Sequence, residues 1–293
     1  MSSSPISLKH TAAQERRTMR KERIAVLRSN KAFVAGVLLV GFWILCAIFG
    51  NWVVPQRPEF LDMMLTDLPP SGAHWFGTDS LGRDVFARVI VGSREILVMA
   101  SLATIIGTVC GSAIGLTTGY FKGRLDLFVM RILDAISALP VLVIALLALS
   151  AVGGSSAVIT VLIIGFVFTP IIARTVRAAV LGESELDYVA AARLRTEKTP
   201  YILFNEILPN VLPPIIVEFT IRLGYAVFAI ATLSFLGVGV ALGSPNWGSQ
   251  VAENYSGIFI DTWWSTIFPA AAIATLAIGI NLIADSVMEA FEL

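Results

Sequence analysis

Six stretches of the chain are each long and apolar enough to cross a lipid bilayer, and no other feature restricts the fold as much. They cover roughly residues 32–54, 96–118, 132–152, 157–180, 212–240 and 263–284. A helix needs about 20 apolar residues to span the hydrocarbon core. Only 14% of the 293 residues are charged and 56% are hydrophobic, whereas a soluble domain carries about 25% charged residues. The expectation is an all-α integral membrane protein with six transmembrane helices and lipid as its solvent. A formal net charge of zero gives no bulk attraction to nucleic acid.

Lysine and arginine orient the spans, because they concentrate in cytoplasmic loops. Eight lie between Lys9 and Lys31, before the first span. Lys122, Arg124 and Arg131 lie between spans two and three; Arg174, Arg177, Arg193, Arg195 and Lys198 lie at or after the end of span four. The opposite side holds only Arg57, Arg83, Arg88 and Arg94. Sixteen against four places both termini in the cytoplasm. Trp247, Trp263 and Trp264 are then expected at the outer interface. Gly153, Gly154, Ser155 and Ser156 form a tight turn between spans three and four. Prolines interrupt four spans, at Pro140, Pro170, Pro213/Pro214 and Pro269, where each removes a backbone donor and kinks the helix. Cys46 and Cys110 read as small core residues. His10 and His74 lie in hydrophilic stretches, and no residues have metal-ligand spacing.

The connection after span four is too long for a simple link between neighbouring spans. It reads as two short helices. Ser184 is expected to cap the first with Asp187 as its reciprocal partner, and Thr199 to cap the second with Pro200 in the first helical position. Arg193 and Arg195 suit the negative end of the first helix. Tyr188, Ala191, Ala192 and Arg195 follow helical spacing, and the alanines allow close approach. An ordered helix pair here suits docking of a cytosolic partner. Asp187, Tyr188, Ala191, Ala192, Arg193, Arg195 and Thr196 are the candidate docking residues.

The segment 187–193 (DYVAAAR), followed by ILPN at 207–210, resembles the EAA loop of binding-protein-dependent ABC importer permeases. Ala190 stands where that family usually has Glu, and Thr196 where it usually has Gly. Four further stretches in register resemble the C-type subunit of dipeptide and oligopeptide permeases (DppC/OppC). They are 76–90 (FGTDSLGRDVFARVI), Gly119-Tyr120 with 130–134 (MRILD), 233–239 (LSFLGVG) and 245–248 (PNWG). The resemblance implies a type I ABC importer transmembrane domain in a bacterial inner membrane. It implies a homologous second permease subunit, two ABC ATPase subunits and an extracytoplasmic solute-binding protein as partners. The solute class is di- or oligopeptides, or a related small solute such as nickel chelates. No cofactor is expected on this chain; ATP and Mg belong to the ATPases. The lack of a G-x-x-x-x-G-K-[ST] phosphate loop agrees.

Glu218 and Arg222 lie four apart in span five, so they share a face and can pair; they are the candidate pathway residues. Asp134 follows Arg131 by three residues, and both read as interfacial anchors. Leu81, Val85 and Val89 repeat at helical spacing, which predicts a short amphipathic helix on the outer surface. Arg83 and Asp84 on it are candidate binding-protein contacts. The expected organisation is a cytoplasmic segment 1–31, a first span with an outer segment over 32–94, and a permease domain over 95–293 with its coupling loop at 181–211. A secondary carrier or channel calls for inverted repeats, which are not evident. An intramembrane protease needs a base in a span, or two carboxylates together, for which only Asp134 and Asp285 offer themselves.

Overall fold

A computed structural model of the chain describes residues 27–55, 58–152, 156–241 and 243–292. Most of the basic N-terminal segment with His10, Arg57, and the turn residues Gly153, Gly154 and Ser155 lie outside the described residues. In chain order the helices are α1 (Lys31–Val53), α2 (Val85–Phe121), α3 (Gly123–Ser137), α4 (Val141–Val152), α5 (Ala157–Glu183), α6 (Asp187–Leu194), α7 (Thr199–Phe235), α8 (Trp247–Asn254) and α9 (Trp264–Glu292). Among the described residues there is no strand, only one isolated bridge between Thr78 and Asp84. Helices α1, α2, α5, α7 and α9 are each long and apolar enough to cross a membrane.

The third expected span is broken. Helices α3 and α4 pass the membrane test only as a pair, bent by 83°. Pro140 lies at the break, where it lacks an N–H and pushes Leu139 out of the helical region. The 12 residues of α4 rise only about 18 Å, short of the roughly 30 Å of hydrocarbon. Helix α3 is amphipathic instead. Asp126 pairs with Arg177 on α5, and Asp134 lies 3.3 Å from Arg174. Asp134 is therefore tied to α5 rather than to Arg131 on its own helix.

Helix α2 starts eleven residues before the expected span and runs for 37 residues. Asp84 caps it, its Oδ1 accepting the Ala87 N–H at 2.8 Å. The amphipathic surface helix expected around Val85 and Val89 is the first two turns of this long helix, and the boundary between residues 94 and 95 falls inside it.

Helices α2 and α5 form the tightest pair in the bundle. Glycines recur every fourth residue on α2, at Gly107, Gly111, Gly115 and Gly119, and fall on one helix face. A Cβ on Gly111 would sit 2.8 Å from the Cβ of Ile172, and one on Gly115 would sit 2.7 Å from the Ala173 carbonyl oxygen. Small residues let backbones approach and gain packing where lipid supplies no hydrophobic drive. The same device joins α1 to α9, since a Cβ on Gly36 would lie 2.7 Å from the Gly279 carbonyl oxygen. Asn30 donates to Glu289 at 3.1 Å, which sets the start of α1 beside the end of α9. Tyr120 near the end of α2 lies under Arg193 of α6, and Gly50 near the end of α1 packs on Ile90 near the start of α2. Both described chain ends and α6 therefore share one end of the bundle.

Candidate functional site

The α5–α7 connection carries α6, but not with the caps expected. Ser184 closes α5: its N–H bonds to the Val180 oxygen at 2.8 Å and its hydroxyl to the Leu181 oxygen at 3.1 Å. That hydroxyl is turned away from α6, which begins at Asp187 with Leu186 in the capping position and no side-chain cap. Asp187 still sits in the first turn, where a carboxylate suits the positive helix end. The next helix starts one residue earlier than expected, with Lys198 as the capping residue and Thr199 and Pro200 in its first turn. It does not stop at Pro209. Residues Ile202–Ile207 form a π turn, and the helix continues to Phe235 as one body of 37 residues. The second short helix is thus the root of the fifth span.

Val189 and Ala192 are fully buried, in one hydrophobic core with Ile202, Leu203 and Ile207. They lie three residues apart, so they form one helix face. Ala192 is therefore turned into the chain's own core. The exposed face holds Asp187, Ala190, Ala191, Arg193, Leu194 and Arg195, and Leu194 is 86% exposed. Thr196 closes α6 with φ +56°. Its N–H bonds to the Arg193 oxygen at 2.9 Å, and the Glu197 N–H reaches back to the Ala192 oxygen at 3.3 Å. That is a Schellman cap, whose left-handed residue is usually Gly.

Tyr188 ties α6 to both neighbouring spans. Its hydroxyl donates to Glu183 Oε2 at 2.5 Å at the end of α5, and accepts from Asn210 Nδ2 at 3.0 Å on α7. Asn210 Nδ2 also donates to the Glu206 oxygen at 3.0 Å. Burial first, then the Glu183 carboxylate accepting its proton, push the Tyr188 phenol up to about 12. These residues border a cleft of about 560 Å³ lined by Glu183, Leu186, Tyr188, Asn205, Glu206 and Asn210. Other ties are more exposed. Lys122 pairs with Glu185 and holds that carboxyl below the usual range. The Arg193 guanidinium lies 5.0 Å from the centre of the Tyr120 ring. Arg195 lies 3.3 Å from Glu206 and 3.7 Å from Glu197.

At the opposite end of the bundle lies a buried ionic knot. Arg83 donates through Nε to Asp79 at 2.6 Å and through Nη2 to Glu253. Arg88 is 1% exposed and donates to the carbonyl oxygens of Ser244 at 2.9 Å and Gly243 at 3.2 Å. His74 Nδ1 lies 2.9 Å from Asp84 Oδ2. Trp247 and Trp264 are buried too, their indoles donating to the oxygens of Val89 at 2.8 Å and Thr78 at 2.9 Å. These two are structural pegs rather than interfacial side chains; Trp263 remains exposed. Arg83 and Asp84, at 3% and 5% exposure, fasten the outer segment to α2 and α8 instead of presenting charge on the surface. Sequence reasoning does not find Glu253 as a partner, because it lies 170 residues from Arg83; Asp79, four residues before Arg83, was within reach of the same spacing argument that pairs Glu218 with Arg222.

Glu218 and Arg222 pair as their spacing required. Arg222 Nη2 lies 2.7 Å and Nε 2.8 Å from Glu218 Oε1, with side chains 16% and 10% exposed. The guanidinium also lies 5.2 Å from the centre of the Tyr225 ring.

The chain is a helical membrane domain with a loop helix, α6, seated at one end of the bundle and showing alanines and a leucine on its outer face. The comparisons with known proteins say which kind. Residues 111–293 match the family described as binding-protein-dependent transport system inner membrane component, and residues 18–70 match the N-terminal TM domain of oligopeptide transport permease C. The chain is 35% identical to the probable D,D-dipeptide transport system permease protein DdpC of Escherichia coli, over 91% of this chain and 89% of that one. It is 33% identical to the dipeptide transport system permease protein DppC of Alkalihalophilus pseudofirmus, over 93% and 89%. The fold is shared with a chain of the MetNI methionine ABC transporter in an inward-facing conformation, with TM-score 0.56 and 19% identity over 70% of this chain and 96% of that one. The chain belongs to the binding-protein-dependent transport system inner membrane component family. It is a multi-pass inner-membrane permease subunit of an ABC importer, a transport component rather than an enzyme. Such a subunit works with an ATPase and a solute-binding protein.

Proposed function

We propose that this chain pairs with a homologous second permease to form a translocation pathway for di- or oligopeptides, and that two ATPase subunits dock on the two permeases. The observation that carries the docking reading is the exposed Ala190, Ala191 and Leu194 face of α6, on a helix whose other face is locked by Val189 and Ala192. An apolar face at the end of a membrane bundle lies where lipid does not cover it, and small side chains admit a partner surface closely. The peptide solute rests on the dipeptide permeases among the relatives. The excess of lysine and arginine on the α6 side supports a cytoplasmic position for both termini. ATP and Mg belong to the ATPase subunits, and this chain holds no cofactor of its own.

Glu218 and Arg222 border the pathway in this reading, since an ion pair within a span faces a cavity or a partner rather than hydrocarbon. With Arg83 and Asp84 buried, the delivering protein meets the outer end through their exposed neighbours Ser80 and Leu81. Mild-detergent purification of the tagged chain from its own cells, followed by mass spectrometry and dipeptide uptake in proteoliposomes, tests the whole scheme. The expected result is a second permease, ATPases, and uptake that needs both ATP and a binding protein. Recovery of the chain alone, under conditions that preserve a known ABC complex, would refute it. Replacing Glu218 and Arg222 together by Gln and Met tests the pathway role. Unchanged uptake by an intact complex would remove the pair from the pathway.

A further inference from the structure

We propose that Tyr188 is the positioning residue that makes α6 move as one body with α5 and α7, so that it sets how much solute is moved per ATP. This rests on the reading of α6 as the ATPase-docking helix. Three segments meet at one hydroxyl: Tyr188 on α6, Glu183 in the last turn of α5, and Asn210 on α7. The hydroxyl uses its single proton on Glu183 and a lone pair on Asn210, so neither bond can be kept if α6 shifts against either span. Val189 and Ala192 seat α6 on Ile202, Leu203 and Ile207, but an apolar contact is non-directional and permits sliding. The other polar ties are exposed charged pairs or a stacked arginine, and exposed pairs hold little geometry. Tyr188 is half-buried, and with its phenol raised to about 12 it stays a donor throughout the working pH range.

The lever is long. The helix that Asn210 belongs to continues past Pro213 and Pro214 to Phe235 and carries Glu218 and Arg222. Glu218 is eight residues beyond Asn210, about 12 Å along the axis. A displacement of α6 caught by this node is delivered to the middle of the fifth span, whereas one lost as sliding is not.

The test is Tyr188→Phe in the assembled complex, reconstituted in proteoliposomes with its binding protein. The readout is peptide taken up per ATP hydrolysed. Loss of docking alone leaves this ratio unchanged, because unassembled permease neither hydrolyses nor transports. The ring is kept, so the packing of α6 is kept. The expected result is a ratio about ten-fold lower, from the loss of two hydrogen bonds at one half-buried group. Asn210→Leu should lower it less, and Tyr188→Phe on that background should add less than it does alone. Glu183→Gln, which retains an acceptor, should keep most of the ratio. A wild-type ratio in Tyr188→Phe overturns the proposal, as does an effect confined to the amount of complex assembled. If the wild-type chain binds no ATPase, the docking reading itself fails, and that is seen before any variant is made.

Discussion

Thr196→Gly should make the docking loop more stable, and the size of the gain follows from the cap geometry. Thr196 holds φ +56°, a region costing a residue with a Cβ about 1–2 kcal/mol and an outlier for a β-branched one. Gly adopts it freely but brings back about 0.5–1 kcal/mol of chain entropy. Thr196 is exposed, so no packing is lost. Its hydroxyl makes one bond, at 2.7 Å to the Arg195 oxygen, which water replaces. The net gain is about 0.5–1 kcal/mol, a two- to five-fold lower opening constant. Hydrogen–deuterium exchange of peptides covering residues 187–197 reads it, because the Thr196 and Glu197 amides close the cap. Thr196→Asn should fall between Gly and wild type, since Asn tolerates this region. Thr196→Val keeps the branch, loses the hydroxyl, and should exchange no more slowly than wild type. Equal or faster exchange in Thr196→Gly would mean that the cap carries no strain, and would refute the reasoning.

Ala191→Arg sets a bulky charge on the exposed face of α6 and should abolish copurification of the ATPase; an intact complex would take Ala191 out of the interface. Arg88→Met takes one of two cations from Asp79 and Glu253, which keep Arg83, and removes the donor to the carbonyl oxygens of Pro58, Gly243 and Ser244. Leaving buried acceptors unsatisfied should destabilise the outer end by about 1–3 kcal/mol, read as a lower thermal midpoint in detergent. Gly111→Val drives a branched side chain into Ile172 and the Thr169 oxygen, 2.8 Å and 3.0 Å from the ideal Cβ. Overpacking of this kind costs about 1–3 kcal/mol or more, and the same melting assay should show it, while Gly41→Val, with nothing within 4 Å, should not.

The spans were legible because lipid imposes a length and a polarity on every crossing helix. The Glu218–Arg222 pair was legible because both partners sit on one helix, four residues apart. Hydropathy marks 132–152 as apolar but not its 83° bend, since an apolar run does not report where its axis turns. Pro140 is visible as a break, but the pairs that hold α3 against α5, Asp126 with Arg177 and Asp134 with Arg174, join residues 40 or more apart and are not. The glycines of α2 were also visible as a four-residue period and could have predicted a close helix neighbour, though not that α5 would be that neighbour. The outer segment was misjudged for a different reason. Charge was read as exposure, yet Arg83 reaches Asp79 four residues before it and Glu253 170 residues beyond it, and a pattern read along the sequence does not contain the second closure.

The same distribution of devices separates parts that can deform from parts that cannot. Helices α2 and α5 meet through glycines that leave no slack, and the ionic knot clamps the start of α2 to α8 and the outer segment. Close-packed interfaces of this kind have discrete arrangements rather than a continuum. The irregular points are Pro170 inside α5, the bend at Pro140, the π turn Ile202–Ile207, and Pro213, Pro214 and Pro269 inside α7 and α9. Each removes or displaces backbone hydrogen bonds and marks a place where a helix bends. The π turn lies directly under α6, between the docking face and the Glu218–Arg222 pair. In the proposed scheme a push on α6 meets the glycine-packed α2–α5 pair on one side and, on the other, α7 with its π turn. The backbones of α2 and α5 are already in contact along the glycine seam, so sliding there is resisted, and the scheme places the bend in α7.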